Sequence, residues 1–481
     1  MTNLSVHKIG GTSMSAVDTV VDDIVIGGRS GAALYNRIFV VSAYSGMTDR
    51  LLEHKKTGEP GVYALYAGSE NEGAWEEALT RTGQAMREKN RAVLDSEDDI
   101  ARADRFVEER IDGARSCLRD LRRLCSFGHF KLPEHLMTVR ELLSGLGEAH
   151  SAHNLMLRLR RRGVAAEFVD LTGWRGSESV ALERRIAEAF APLDLTRQLP
   201  IVTGYAQCEE GLVKLYGRGY SELTFSRIAV QLGAAEAIIH KEFHLSSADP
   251  KLVGQDAVKA IAETNYDVAD QLSNLGMEAI HPSAAKGLRQ ACIPLRIKNT
   301  FEPDDPGAVI RGDLEPEAPA VEMITGLKGV YAFEFFEQDM VGVKGYDAAI
   351  LEALKRHKAQ IVAKTSNANT ITHFLKGAAK AVKRVEQDLS ERFPSAAIAS
   401  RNVALIAILG RDLRLPALGA RALTALAEAG IEPLGFHDLL RKVDIQVIVD
   451  EADHDAAIHA LHRALIEQPA GAKTGSFSAA A

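Results

Sequence analysis

Lys8-Ile9-Gly10-Gly11-Thr12-Ser13 is the stretch on which the reading of this chain turns. The apolar run from Leu4 to Ile9 predicts a strand, and helical spacing follows from Ser15 to Ile26. A glycine pair between strand and helix leaves consecutive backbone N–H groups open to phosphate oxygens, and the lysine adds a full positive charge. The spacing matches neither the Walker A loop nor GxGxxG, which disfavours P-loop and Rossmann dinucleotide readings. A second apolar run, Arg37 to Val41, ends in a turn rich in hydroxyls and glycine, Ser42 to Asp49. A third turn, Gly217-Arg218-Gly219-Tyr220-Ser221-Glu222, reads as lying between a strand at Leu212 to Tyr216 and a helix at Ser221 to Leu232. Three such turns from one sheet can converge at the carboxyl ends of parallel strands, where α/β folds bind ligands.

Outward from these turns the pattern stays α/β. Strand signals stand at Ala166 to Val169, Pro200 to Gly204 and Ala237 to His240, and a helical one at Leu182 to Ala191. Ile100, Ala103, Val107, Ile111, Ala114, Leu118, Leu121 and Cys125 recur at helical steps after Ser96, an expected N-cap, with Glu108, Glu109 and Arg110 expected on the solvated face. A further helix is expected from Glu134 to Arg162, stopped by arginines and Gly163. The proline-rich residues 302–319 read as a linker. Beyond it, a strand at Val330 to Phe335, a helix at Asp347 to Arg356, strands at Gln360 to Lys364 and Thr370 to Phe374 and a helix from Ala378 form one βαββαβ-like module. A second follows at Val403 to Ile466, and Ala470 to Ala481 is expected to be disordered.

Composition narrows the function. With 57 Lys and Arg against 65 Asp and Glu, the net charge of -8 offers no basic excess for nucleic acid or anionic lipid and points to small-molecule ligands. The four cysteines form no CxxC pair, so neither a disulfide framework nor a thiolate metal site is indicated. No apolar run reaches the ~20 residues of a membrane span, and the N-terminus lacks a signal-peptide pattern. The expectation is a soluble, cytoplasmic protein.

Taken in order, the motifs resemble those of the aspartate kinases. Lys8 to Ser13 is similar to KFGGTS, and Val40 to Leu51 to VVSAxxGxTxxL. Ser144 to Ser151 is similar to the GExLS helix, and Gly217 to Thr224 to GRGGSDxT. Ala248-Asp249-Pro250-Lys251 resembles TADPR, Gly276 to Pro282 resembles GAKVLHP, and Ile293 to Phe301 resembles IPxxIRNTF. The resemblance implies a three-layer αβα amino-acid-kinase fold with a mainly parallel sheet at 1–315, helical at about 70–162. It implies two ferredoxin-like ACT domains at 316–396 and 397–470, with a tail at 471–481.

The activity implied is transfer of the γ-phosphoryl group of MgATP to the side-chain carboxylate of L-aspartate, giving 4-phospho-L-aspartate. By motif position Lys8, Glu148, Arg218 and Glu222 would be catalytic. Lys8 compensates charge while Gly10 and Gly11 hold phosphate, Arg218 takes the substrate α-carboxylate, Glu148 its ammonium, and Ser42 and Thr48 complete the pocket. Ser221, His240, Lys241, Ser246 and Lys251 fall at nucleotide-side positions. ATP and Mg2+ are the expected cofactors, the metal being held mainly by phosphates and water. Asp339, Met340, Asn367 and Asn369 fall at the ACT effector positions, and a homodimer or homotetramer is implied.

Departures gather on the nucleotide side. Tyr220 stands where the motif has glycine, Glu222 where it has aspartate, and Glu278 where it has lysine. WTDVDGVYTADPR reads Ile239 to Lys251 here. The pattern resembles the divergent aspartate kinases associated with ectoine synthesis. Two alternatives stand beside this reading: a non-catalytic ACT-bearing regulatory subunit, and a kinase for another acidic amino acid. His281 reads as structural, packed ahead of Pro282.

Overall fold

Ile38, Phe39, Val40 and Val41 have no exposed surface, the mark of a strand covered on both faces. They belong to β2 (Arg37–Val41) of a sheet whose first-unit strands are β1 (Ser5–Ile9), β2, β3 (Ala166–Val169), β4 (Leu199–Thr203), β5 (Glu236–Lys241), β7 (Leu295–Asn299) and β8 (Ala308–Arg311). Their order is β3-β4-β2-β1-β5-β7-β8, parallel except for β8 against β7. This computed structural model describes residues 3–467 apart from 56, 69–71, 177, 276–279 and 313, and leaves the side chains of Glu72 and Arg218 undescribed. Glu278 and the expected C-terminal tail lie outside the described residues.

The chain divides into two units, Met1–His244 with Ile280–Gly312 and Leu245–Ala279 with Asp313–Ala481. In the first, Ile9, Phe39, Val41 and Ile201 pack with Val20, Val21 and Ile24 and with Leu155 and Leu159 of the helix Leu132–Arg161. Helix Tyr220–Gln231 packs along β1. The helix Glu97–Cys125 buries Ala103, Val107, Ile111, Ala114 and Leu118 as its spacing predicts. Arg110 departs from the expected solvated face. It is buried, ion-paired to Asp170, donates to Thr172 Oγ1 at 3.2 Å, and lies over the rings of Phe106 and Trp174.

Two further expectations are corrected. Leu212–Tyr216 is a helix, not a strand, and Glu141 Oε1 accepts the N–H groups of Val213 and Lys214 at 2.8 and 3.0 Å. The expected linker contains β8, which completes the first-unit sheet.

The second unit includes β6 (Glu263–Asn265) and a six-stranded antiparallel sheet. Its strands are β9 (Met323–Phe336), β10 (Gln360–Ser366), β11 (Thr370–Lys376), β12 (Ala397–Leu409), β13 (Gly435–Asp438) and β14 (Asp444–Asp450), in the order β10-β11-β9-β12-β14-β13. β9 and β12 run through both halves. Residues 330–336 and 397–403 pair beside β11 and pack under the helices Tyr346–Arg356 and Ala379–Arg392. Residues 323–327 and 405–409 belong with β13, β14 and the helices Leu418–Glu428 and His454–His462. The halves join at a register shift between Val403 and Leu405, opposite Gly329, whose φ of 68° suits only glycine well. Ala248 and Val253 pack into this second core, so the segment carrying Ser246 and Lys251 is part of the second unit.

Candidate active site

The first turn closes tightly on the second. A Cβ added to Gly11 would meet Ala43 O at 2.7 Å, whereas one on Gly10 would have only ordinary contacts, 3.7 Å from Glu242 Oε1 and 3.8 Å from Lys8 Nζ and His240 O. Gly11 is therefore glycine for backbone approach and Gly10 for its open face. A single helical turn, Gly11–Ser15, comes first, and the helix expected from Ser15 to Ile26 follows it as Val17–Thr19 continued by the wider-wound Val20–Ile26. Lys8, 8% exposed at the end of β1, reaches Glu222 Oε1 at 3.7 Å. Glu222 Oε2 accepts the backbone N–H of His281 at 2.5 Å, so the longer carboxylate arm holds both the lysine and the start of helix Pro282–Gln290. His281 caps that helix through Nδ1, which accepts the N–H of Ser283 at 3.2 Å, a structural role.

Glu148 lies inside helix Leu132–Arg161, 2% exposed, and its Oε2 has no hydrogen-bond partner among the described residues. A Cβ on Gly204, just past β4, would meet Ser221 Cβ at 2.7 Å, Val41 O at 2.8 Å and Glu148 Oε2 at 2.9 Å. That bare glycine keeps the carboxylate, Ser221 and the end of β2 together. Burial pushes the Glu148 carboxyl well above the ordinary carboxylate range, with the Lys8 charge and the Tyr205 backbone N–H pulling it partly back. Ser42 and Ser221 hydroxyls lie 3.3 Å apart, and Ser151 Oγ donates to Ser42 O at 2.8 Å. Thr48 is half-buried in the short helix Met47–Leu51 that follows the turn.

Lys8, Gly10, Gly11, Ser42, Glu148, Ser221 and Glu222 are thus drawn together at the carboxyl ends of β1, β2 and β4. Arg218 sits in the 3-10 turn Gly217–Gly219 that leads into Ser221. Tyr220 does not fill the site. Its ring is buried edge-on to Tyr205 at 5.5 Å, and Tyr205 donates its hydroxyl hydrogen to Glu141 Oε2 at 2.7 Å.

Other predicted residues are placed differently. Register pairs Lys8 with Ile239 and Ile9 with His240, so His240 lies on the opposite sheet face from Lys8. There its Nε2 meets His7 Nδ1 at 3.0 Å, and burial holds its imidazole neutral, down to about 3. Lys241 shares the Lys8 face by alternation, and its carbonyl accepts the N–H of Thr300 at 2.7 Å. Ser246 donates to Ala248 O at 2.7 Å inside the second unit, and Lys251 is the second residue of the turn Pro250–Val253, its N–H donating to the capping Asp249 Oδ1 at 2.9 Å.

At the ACT positions, Asn367 Oδ1 accepts the N–H groups of Asn369 and Thr370 at 3.1 and 2.9 Å, the Asx-turn use of asparagine. Asn369 O accepts the N–H of Glu337 at 2.9 Å, which joins this loop to the turn carrying Asp339 and the buried Met340. The motifs span Ser13, Ser151 and Glu242, and a strand signal ends at Gly204, but the sequence reading gave none of these four a place in the site. Gly204 carried a usable signal, a glycine directly after an apolar strand; the others depend on contacts between distant segments.

The site residues suit the groups the motifs imply. A bare glycine turn with a lysine suits phosphate, and a buried carboxylate oxygen without a partner suits an ammonium. Residues 3–299 match the amino acid kinase family. The chain is 54% identical over 463 residues to the aspartate kinase Ask_Ect of Stutzerimonas stutzeri, covering 96% of this chain and 97% of that protein. It is 23% identical to an aspartokinase of Saccharomyces cerevisiae, over 97% of this chain and 93% of that one. Its fold is similar to E. coli aspartokinase III solved with lysine and aspartate, with a TM-score of 0.71 at 20% identity over 96% of this chain and 100% of that one.

Proposed function

The chain belongs to the amino acid kinase family and, within it, to the aspartate kinases, and from that premise we propose how its own residues carry the reaction. The γ-phosphoryl group of ATP passes to the side-chain carboxylate of L-aspartate, giving 4-phospho-L-aspartate. A carboxylate is already a nucleophile at neutral pH, so the protein supplies alignment and charge rather than a general base. Glu148 takes the substrate ammonium, which gives its orphan oxygen the partner it lacks. Ser42 and Thr48 line the same pocket, and Arg218, in the turn before Ser221, takes the α-carboxylate. Lys8 neutralises charge that develops on the transferring group, and Glu222 keeps the ammonium of Lys8 in place. Gly10 and Gly11 offer backbone N–H groups to phosphate. Bound Mg2+ would supply further neutralisation of the polyphosphate.

The observation that carries this reading is the convergence of the Lys8–Glu222 pair and the buried Glu148 on one set of strand ends. The second unit would bind an amino-acid effector at the Glu337–Asn369 junction, and the enzyme would work as a cytoplasmic homo-oligomer supplying ectoine synthesis or the aspartate-derived amino acids.

Purified chain incubated with MgATP, L-aspartate and hydroxylamine tests the activity. Aspartyl hydroxamate is expected. Its absence at every substrate concentration would sink the proposal, and equal yield from L-glutamate would reassign the substrate.

A further inference from the structure

Glu242 follows directly on β5 and has no part in the mechanism above. Thr300 Oγ1 donates to Ser13 Oγ at 2.9 Å, and Ser13 Oγ donates to Glu242 Oε1 at 3.3 Å. Ser13 and Thr300 have no exposed surface, so their hydroxyls have no solvent alternative and the chain fixes where the carboxylate lies. It lies against the glycine turn. The same added Cβ on Gly10 would stand 3.7 Å from Glu242 Oε1 and 3.8 Å from Lys8 Nζ. Glu242 and Lys8 therefore border one patch of bare backbone, and Lys8 in turn reaches Glu222 at 3.7 Å. The motif that Ile239 to Lys251 resembles has valine at the Glu242 position, so this acid belongs to this chain's own variant of the site.

An acid here conflicts with a bare polyphosphate. Like charges a few ångströms apart in a partly buried site repel strongly. A divalent cation removes the conflict, because Mg2+ in nucleotide sites is ordinarily held by one or two carboxylates together with phosphates and water. Resting on the kinase reading above, we propose that Glu242 supplies a carboxylate to the Mg2+ of the bound nucleotide, with Ser13 and Thr300 as its positioning residues. The acid then makes nucleotide binding conditional on the metal: it repels free nucleotide and favours the magnesium complex.

Calorimetric titration of the full chain with ADP, in excess Mg2+ and in EDTA, tests this on the unaltered protein, Glu242→Gln and Ser13→Ala. The Mg2+-dependent gain in affinity should fall about tenfold in Glu242→Gln, with affinity in EDTA unchanged or tighter, and Ser13→Ala should lose a smaller part of the gain. An equal gain in Glu242→Gln and the unaltered chain would overturn the proposal. So would equal losses with and without metal, which would make Glu242 only a structural partner of Ser13. If the unaltered chain bound neither ADP nor MgADP, the kinase reading would fail and this proposal with it.

Discussion

Glu148 carries an energetic cost that only function explains. A carboxylate at 2% exposure with an unpartnered oxygen is destabilising in the free protein. Its folded pKa is raised above the unfolded value, so its contribution to stability is present below ~4.5 and is lost as pH rises through the folded value. Glu148→Gln should therefore raise the melting temperature at neutral pH while lowering kcat/KM for L-aspartate by about a hundredfold, the loss of one buried charge-assisted contact. Substrate binding should also draw a proton off the raised carboxyl. Titrations of L-aspartate in two buffers of different ionisation enthalpy at one pH should give different heats for the unaltered chain and equal heats for Glu148→Gln. Equal heats for the unaltered chain would remove Glu148 from the role of ammonium partner.

At the scale of elements, the two glycines of the first turn separate packing from binding. Gly11→Ala forces a methyl to 2.7 Å from a backbone oxygen of the second turn and should destabilise by about 1–3 kcal/mol. Gly10→Ala meets only ordinary contacts, so thermal unfolding should be nearly unchanged while KM for ATP rises. An unchanged KM would mean that phosphate does not lie on this turn. The first two turns were legible because each glycine and hydroxyl cluster follows an apolar strand, and the resemblance of the motifs carried the family. Less legible was Leu212–Tyr216, five residues whose length and apolar content suit a strand or one helical turn. The choice is made by Glu141, about seventy residues upstream, through its bonds to Val213 and Lys214. His240 was placed by motif position, but its sheet face depends on the register between β1 and β5, set by strands more than two hundred residues apart. β8 was hidden by prolines and glycine on either side, since a strand of four residues carries too little alternation to stand out from its turns.

For the molecule as a whole, buried imidazoles tie stability to pH, and they are unevenly shared. Burial lowers His7 well below its ordinary value, His150 and His240 to about 3, and His153 to about 4, all in the first unit. In the second unit burial lowers His373 to about 4 and also lowers His437; both ring nitrogens of His373 lack hydrogen-bond partners among the described residues, Nε2 lying 3.9 Å from Asp347 Oδ1. A lowered folded pKa means that the unfolded chain takes up protons first as pH falls. The stabilisation from neutral histidine is complete above ~6.5 and drains as pH falls from there toward the lowered folded values. Four such groups against two predict that acid weakens the first unit more steeply than the second. Scanning calorimetry between pH 7.5 and 5 should show the melting endotherm broaden and split as its first-unit component moves down faster, and His240→Gln should lessen that movement. A single endotherm that keeps its position down to pH 5 would show that these imidazoles are protonated in the folded chain and that their burial sets no pH limit on it.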